Sequence, residues 1–316
     1  MSPSQRSGPE ILLAPRLQVG DRVRLVSPSS FPDRAGLEEA IGILKRWDLE
    51  VEVEVGEHAL GQWGFMAGRD EDRLSDLNDA FRDPGVRAVI ATRGGAGAYR
   101  IADGIDFDAV RRDPKPLLGF SDITNLHLAL WQHCRLANVH GCLSGELAEA
   151  TARQLLTTTR PITLHRDPDS VSAAIEIPGR ATGFLMGGNL TQVQAFIGAG
   201  MPSLDGAILC FEDHGNAADA AVLDGILHHL INSGSLAGLR GVAIGGLSGL
   251  DASRADATPD RKSTVDVYLE RLGALGIPVL GGLPFGHLPD QSCMPLGPTA
   301  TLDTVAGTLT VAPAVV

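Results

Sequence analysis

Lys115-Pro116-Leu117-Leu118-Gly119-Phe120-Ser121-Asp122-Ile123-Thr124 is the stretch on which the reading of this chain turns. The apolar Pro116-Leu117-Leu118 predicts a short buried strand over Lys115 to Phe120, and a helical segment from Ile123 to Gln132 follows it. A serine at a sharp strand-to-helix turn exposes its hydroxyl as a nucleophile requires. The free N–H groups and positive end of the following helix suit a developing oxyanion. The competing reading is an ordinary helix N-cap, where Ser and Asp are common.

Outward from this turn, strands and helices alternate. Arg22 to Val26 reads as a first strand, closed by Ser27-Pro28-Ser29-Ser30. Leu37 to Trp47 has helical apolar spacing, Val51 to Val55 alternates as a strand, and Arg69 to Phe81 is amphipathic. Val86 to Thr92 is a β-branched run that ends in Arg93-Gly94-Gly95-Ala96-Gly97. This alternation predicts parallel pairing and an α/β layer structure. Residues 1–18 read as a flexible lead-in. Residues 151–181 read as a connecting segment with one or two short strands. From Thr182 the chain is Gly-rich, with β runs at 207–211, 241–244 and 277–280, helices at 222–231 and 265–272, and two strands over 300–311.

Composition narrows the function classes. The 316 residues are 44% hydrophobic and 20% charged, an ordinary globular balance. A net charge of −12 and only 4% aromatic residues argue against a nucleic-acid binder. Cys134, Cys142, Cys210 and Cys293 form no CxxC pair, so they read as small core residues rather than metal ligands. No run of about 18 apolar residues predicts a membrane span, and the polar N-terminus lacks a signal-peptide apolar core. A cytoplasmic protein without cofactor or metal is the expectation.

A serine nucleophile needs a base, and the base an orienting acid. Glu212 follows the apolar run 207–211, where a strand would deliver a carboxylate to a cleft; a solvated loop acid is the alternative. His287 lies in Leu283-Pro284-Phe285-Gly286-His287-Leu288-Pro289, a loop stiffened by Pro and Gly, which suits a positioned base. An ordinary loop histidine is equally compatible. The Gly94-Gly95 segment lacks the GxGxxG or P-loop pattern, so close backbone approach to a substrate is its favoured role. Glu212-Asp213-His214 has no HExxH-type spacing and reads against a metal site.

Taken in order, Val19-Gly20-Asp21-Arg22-Val23, Ser27-Pro28-Ser29, Thr92-Arg93-Gly94-Gly95, the 115–124 stretch, His140-Gly141, Gly187-Gly188-Asn189-Leu190, Phe211-Glu212-Asp213 and Leu283 to His287 form one pattern. With these segments the chain resembles the LD-carboxypeptidase family of serine peptidases, which includes muramoyltetrapeptide carboxypeptidases and microcin C immunity peptidases. The resemblance spans about Leu17 to Val311. It implies an N-terminal α/β domain (19–150) with a mainly parallel sheet carrying the nucleophile. It implies a smaller β-rich C-terminal domain (182–316), with the active site between the two.

The resemblance assigns Ser121 as nucleophile, His287 as general base and Glu212 as its orienting carboxylate. The backbone N–H of Asp122 and one from Gly94 or Gly95 would form the oxyanion hole. Arg93, Asn189 and His140 are candidate substrate contacts, Arg93 because a guanidinium grips a carboxylate bidentately. A small peptide-like substrate, such as an L,D-bonded muropeptide, and a homodimer are implied. Two departures stand out: Ala96 replaces the family's usual Tyr after the double glycine, and 214–220 reads His-Gly-Asn-Ala-Ala-Asp-Ala. They leave room for a specialised acyl transfer, cyclisation or self-resistance amidase reaction, or for a peptide-binding protein without turnover. The lack of Phe, Trp and Tyr in 151–180 argues against nucleobase stacking there.

Overall fold

The computed structural model describes residues 10–215, 219–248 and 262–316. Its first half runs β1 (Arg22–Val26), α1 (Arg34–Lys45), β2 (Glu52–Val55), α2 (Asp70–Arg82), β3 (Val86–Ala91), α3 (Phe107–Arg112), β4 (Leu117–Gly119), α4 (Thr124–Cys134), β5 (Asn138–His140) and α5 (Glu146–Thr157). The second half runs β6 (Ile162–His165), β7 (Glu176–Ile177), β8 (Arg180–Asn189), α6 (Leu190–Ala195), β9 (Ala207–His214), α7 (Ala220–Asn232) and β10 (Gly241–Ser248). A helix over Thr264–Gly273 then leads to β11 (Val279–Leu280), β12 (Met294–Leu296), β13 (Thr299–Asp303) and β14 (Thr308–Val311).

Two sheets result. The first has the order β12-β5-β4-β3-β1-β2 and is parallel except for β12. The second has the order β6-β14-β13-β8-β9-β10-β11-β7, with a parallel centre from β8 to β11 flanked by antiparallel strands. The α/β architecture with a mostly parallel first sheet is the one the alternation of elements predicts. Val23, Leu25, Val89, Ile90, Leu117 and Leu118 are fully or almost fully buried, as β-branched and leucine runs in a doubly covered sheet should be.

Several boundaries differ from the sequence reading. Residues 1–9 lie outside the described residues, but the rest of the 1–18 segment is not a loose lead-in. Leu12 exchanges backbone hydrogen bonds with Arg135 and Ala137, Leu17 N–H donates to Leu156, and the Ala14 and Leu17 side chains are buried. Residues 151–157 complete α5 rather than opening a connection; Ala148, Ala152, Leu155 and Leu156 line its buried face. Threonines on this helix masked the period, because Thr151 and Thr157 satisfy their hydroxyls on Leu147 and Arg153 carbonyls one turn back. The remainder of 151–181 supplies β6 and β7 to the second sheet.

The sheets are locked together at two places. Gly188, at φ +137, passes so close to α4 that a Cβ would meet Thr124 Oγ1 at 2.4 Å, and the Asn189 N–H donates to that hydroxyl at 2.9 Å. The second lock is β12, which leaves the C-terminal half and pairs antiparallel with β5 through Met294–His140, Pro295–Val139 and Leu296–Asn138.

Candidate functional site

Ser121 sits two residues past β4 in the left-handed region, at φ 62. A non-glycine residue held there carries strain of about 1–3 kcal/mol, and such strain concentrates at functional positions. Residues Ser121–Ile123 form a single 3-10 turn that runs into α4, so the chain reverses abruptly and leaves the serine at its corner. Gly94 makes room for it: a Cβ there would lie 2.7 Å from Ser121 Cβ and 3.0 Å from the Phe120 carbonyl oxygen. Ser121 therefore does not cap the helix through its side chain.

The turn is fixed from beneath by Asp122. Its buried carboxylate accepts from the Ser29 hydroxyl at 2.5 Å, the Ala98 N–H at 2.8 Å and the Asn125 amide at 3.0 Å. Burial is the largest influence on this carboxyl and raises its pKa despite those donors. Gly95, at φ +120, would strike Ser30 Oγ at 2.2 Å if it carried a Cβ. The Gly94 and Gly95 N–H groups make no hydrogen bond among the described residues.

Glu212 lies inside β9, not beyond it, because the strand continues to His214. Its carboxylate is completely buried, which excludes the solvated loop acid. His287 reaches it from the loop after β11: Nδ1 is 2.5 Å from Glu212 Oε2, and the His287 backbone N–H donates to the same oxygen at 3.2 Å. Gly286, at φ +92, permits this approach, since a Cβ would fall 2.3 Å from Glu212 Cβ. Burial alone would lower the His287 pKa, but the Glu212 hydrogen bond and the Glu212 and Asp213 charges together raise it. The ring also stacks on His214, centroids 5.2 Å apart, and tilts against Phe120 at 5.0 Å.

Ser121 and His287 line one cleft of about 470 Å³, along with Arg93, Gly94, Gly95 and Asn189. No hydrogen bond closes between the Ser121 hydroxyl and His287 in this state. With Nδ1 held by Glu212, Nε2 is the ring nitrogen left for the cleft. Arg93 is exposed, hydrogen-bonds only to the Phe31 carbonyl, and joins no ion pair among the described residues. Phe120 and Arg93 also line a neighbouring cavity of about 400 Å³.

Two other candidates are placed differently from expectation. Asn189 lines the cleft, but its side-chain oxygen caps α6 at Gln192 and its amide lies 3.4 Å from Asp213. His140 does not reach the cleft at all. It is fully buried on β5, against Phe120, Phe285 and His127, with Nε2 3.8 Å from Glu212 Oε1. His140 ends β5, which is flanked by β4 and β12, and is fully buried there. Sequence reasoning missed Asp122's carboxylate and Asp213, which accepts from the Thr191 hydroxyl at 2.7 Å; their only signal was adjacency to Ser121 and Glu212. Of the departures, Ala96 donates its N–H to the Ser30 hydroxyl, and residues 216–218 lie outside the described residues.

A strained serine at a strand-to-helix corner and a carboxylate-held histidine line one cleft, the layout a hydrolytic site in an α/β protein requires. The LD-carboxypeptidase N-terminal domain is matched over residues 23–141 and the LD-carboxypeptidase C-terminal domain over residues 182–302, and the chain belongs to this family of serine peptidases. A putative carboxypeptidase of Streptomyces coelicolor is 35% identical over 95% of this chain and 96% of its own. A probable murein peptide carboxypeptidase of Bacillus subtilis is 31% identical over 92% of each chain. Among solved structures, an MccF-like protein from Bacillus anthracis superposes with a TM-score of 0.79 at 26% identity, covering 96% of this chain and 99% of that one. Among the described residues, no helix is long and apolar enough to cross a membrane.

Proposed function

We propose that this protein is a serine carboxypeptidase that hydrolyses an amide bond of a small peptide-like substrate, such as an L,D-bond of a muropeptide. The observation that carries the reading is the buried Glu212 carboxylate, bound to His287 Nδ1 at 2.5 Å, behind a cleft that Ser121 also lines. The match to a probable murein peptide carboxypeptidase supports the substrate class.

In this reading, Ser121 Oγ attacks the scissile carbonyl carbon and its proton passes to His287 Nε2. The oxyanion is held by the Asp122 N–H and one from Gly94 or Gly95, donors that would supply about 10²–10³ in rate. Collapse of the tetrahedral species expels the amine, which takes the proton from His287 and leaves an ester on Ser121. Water then gives a proton to His287 and attacks the ester; the proton returns to Ser121 as the carboxylic acid leaves. Glu212 stays ionised throughout and stabilises the imidazolium. Arg93, free of any carboxylate partner among the described residues, would receive the substrate's terminal carboxylate.

Ser121→Ala tests this. Incubation with murein tetrapeptide, read by mass spectrometry, should show loss of the terminal residue with the parent protein and none with the variant, at unchanged circular dichroism. Equal turnover by the variant refutes the assignment. Ala96 and the altered 214–220 stretch leave a second reading, acyl transfer to an amine in place of water; a product lacking the mass of added water identifies it. The same proposal includes a cytoplasmic homodimer, which light scattering of the purified protein and cell fractionation check.

A further inference from the structure

Glu212 uses one oxygen twice and the other not at all. Oε2 takes both the His287 ring and backbone donors, while Oε1, fully buried, has no hydrogen-bond partner among the described residues. Oε1 lies 3.8 Å from His140 Nε2. His140 is itself buried, and neither ring nitrogen has a hydrogen-bond partner among the described residues. Two buried groups 3.8 Å apart, each without a hydrogen-bond partner among the described residues, call for one explanation.

The surroundings decide the charge of that pair. From α4, His127 faces His140 with ring centroids 6.4 Å apart; its Nε2 is 2.9 Å from the Gly119 carbonyl, and burial lowers its pKa to about 4. From the loop after β11 comes His287, and from β9 come Cys210, Glu212 and, one residue on, Asp213. Burial, reinforced by His127 and His287, pushes His140 well below the ordinary histidine value. His140 is thus neutral and carries one N–H. The tautomer with that proton on Nε2 aims a donor at Oε1; the other aims a lone pair at it.

We propose that His140 is a positioning residue of the site, whose Nε2–H, 3.8 Å from Glu212 Oε1 in this structure, closes on that oxygen in the working enzyme so that Oε2 stays on His287 Nδ1. This rests on the proposed triad for its effect on rate, but the His140–Glu212 contact itself does not. Removing the donor leaves the Glu212 charge less countered, so it holds the His287 imidazolium more firmly and His287 keeps its proton to higher pH. The loss in kcat should be about 10- to 100-fold, as for the outer partners that orient functional side chains. KM should not move, because His140 does not reach the cleft.

Histidine ¹⁵N spectra of the unmodified protein at neutral pH should show the His140 proton on Nε2; a proton on Nδ1 overturns the proposal without any variant. His140→Phe should lower kcat at constant KM and raise the apparent pKa of the His287 resonances. His140→Gln, which keeps an N–H donor, should restore both towards the parent. An unchanged His287 titration in His140→Phe refutes the contact, and equal loss in both variants without that titration shift reduces His140 to packing. Should Ser121→Ala retain turnover, the triad reading fails while the spectra still judge the His140–Glu212 pair.

Discussion

Gly286→Ala separates backbone strain from loss of the catalytic geometry. Gly286 has φ +92, a conformation that costs an L-residue about 1–2 kcal/mol. The new Cβ would also lie 2.3 Å from Glu212 Cβ, 2.4 Å from Cγ and 2.8 Å from Oε2. Comfortable carbon contacts are about 3.5–4.0 Å, so Glu212 or the His287 loop must move by more than an ångström. Overpacking of that kind costs about 1–3 kcal/mol more. The expected total is about 2–5 kcal/mol of stability, and a displacement of about 1 Å at the reacting groups lowers kcat about 10²-fold. Gly198→Ala is the matched control: φ is +83, but nothing lies within 4 Å of its Cβ, so only the backbone part should be lost and kcat kept. Urea unfolding midpoints and single-substrate kinetics on the two variants give the comparison. If Gly286→Ala loses no more stability than Gly198→Ala and retains kcat, the inferred dependence of His287 on the Glu212 approach is wrong.

Arg93→Ala should raise KM at least tenfold with little change in kcat, since a charge-assisted hydrogen bond to a substrate carboxylate contributes about 1.5–3 kcal/mol; amidated substrates should be insensitive to it. Because the His287 pKa is raised and the general base must be neutral, the acid limb of kcat/KM should lie above the ordinary histidine value. Stability responds in two directions. The raised His287 contributes stability fully present below its unfolded pKa and lost as pH rises through its folded pKa. The depressed His127 does the reverse: between pH 6.5 and about 4 the unfolded chain binds the extra proton, so stability falls on acidification by about 3 kcal/mol in all. His127→Gln should flatten the acid side of a pH–urea midpoint curve accordingly.

The legible parts of this molecule were those whose signal is local. Arg22–Val26, Val86–Ala91 and the turn at Ser121 read directly, because a buried parallel strand is an apolar run and a strained corner follows one. Glu212 and His287 read as strand-end residues, although nothing local said that they touch; a separation of 75 residues leaves no periodicity to detect. The edge strand Met294-Pro295-Leu296 was invisible for the same reason. Three residues carry no pattern, and Pro295 argues against a strand unless it sits at a sheet edge, as it does here. His140 was named as a substrate contact from the family resemblance alone, and nothing in the sequence shows that β12 pairs with β5 beside it.

That edge strand also dictates an order of events during synthesis. The first sheet is assembled from residues 22–140 and then from 294–296, with the entire second sheet up to β11 translated in between. A nascent chain released at residue 290 would hold the Ser121 corner, Glu212 and His287, yet its β5 edge would stand unpaired and open to other chains. Completion of the nucleophile's sheet thus waits until residues 294–296, after β6 to β11, have been made. A gene cut between the regions 23–141 and 182–302 should yield a first fragment that aggregates, not one that merely lacks partners for Ser121.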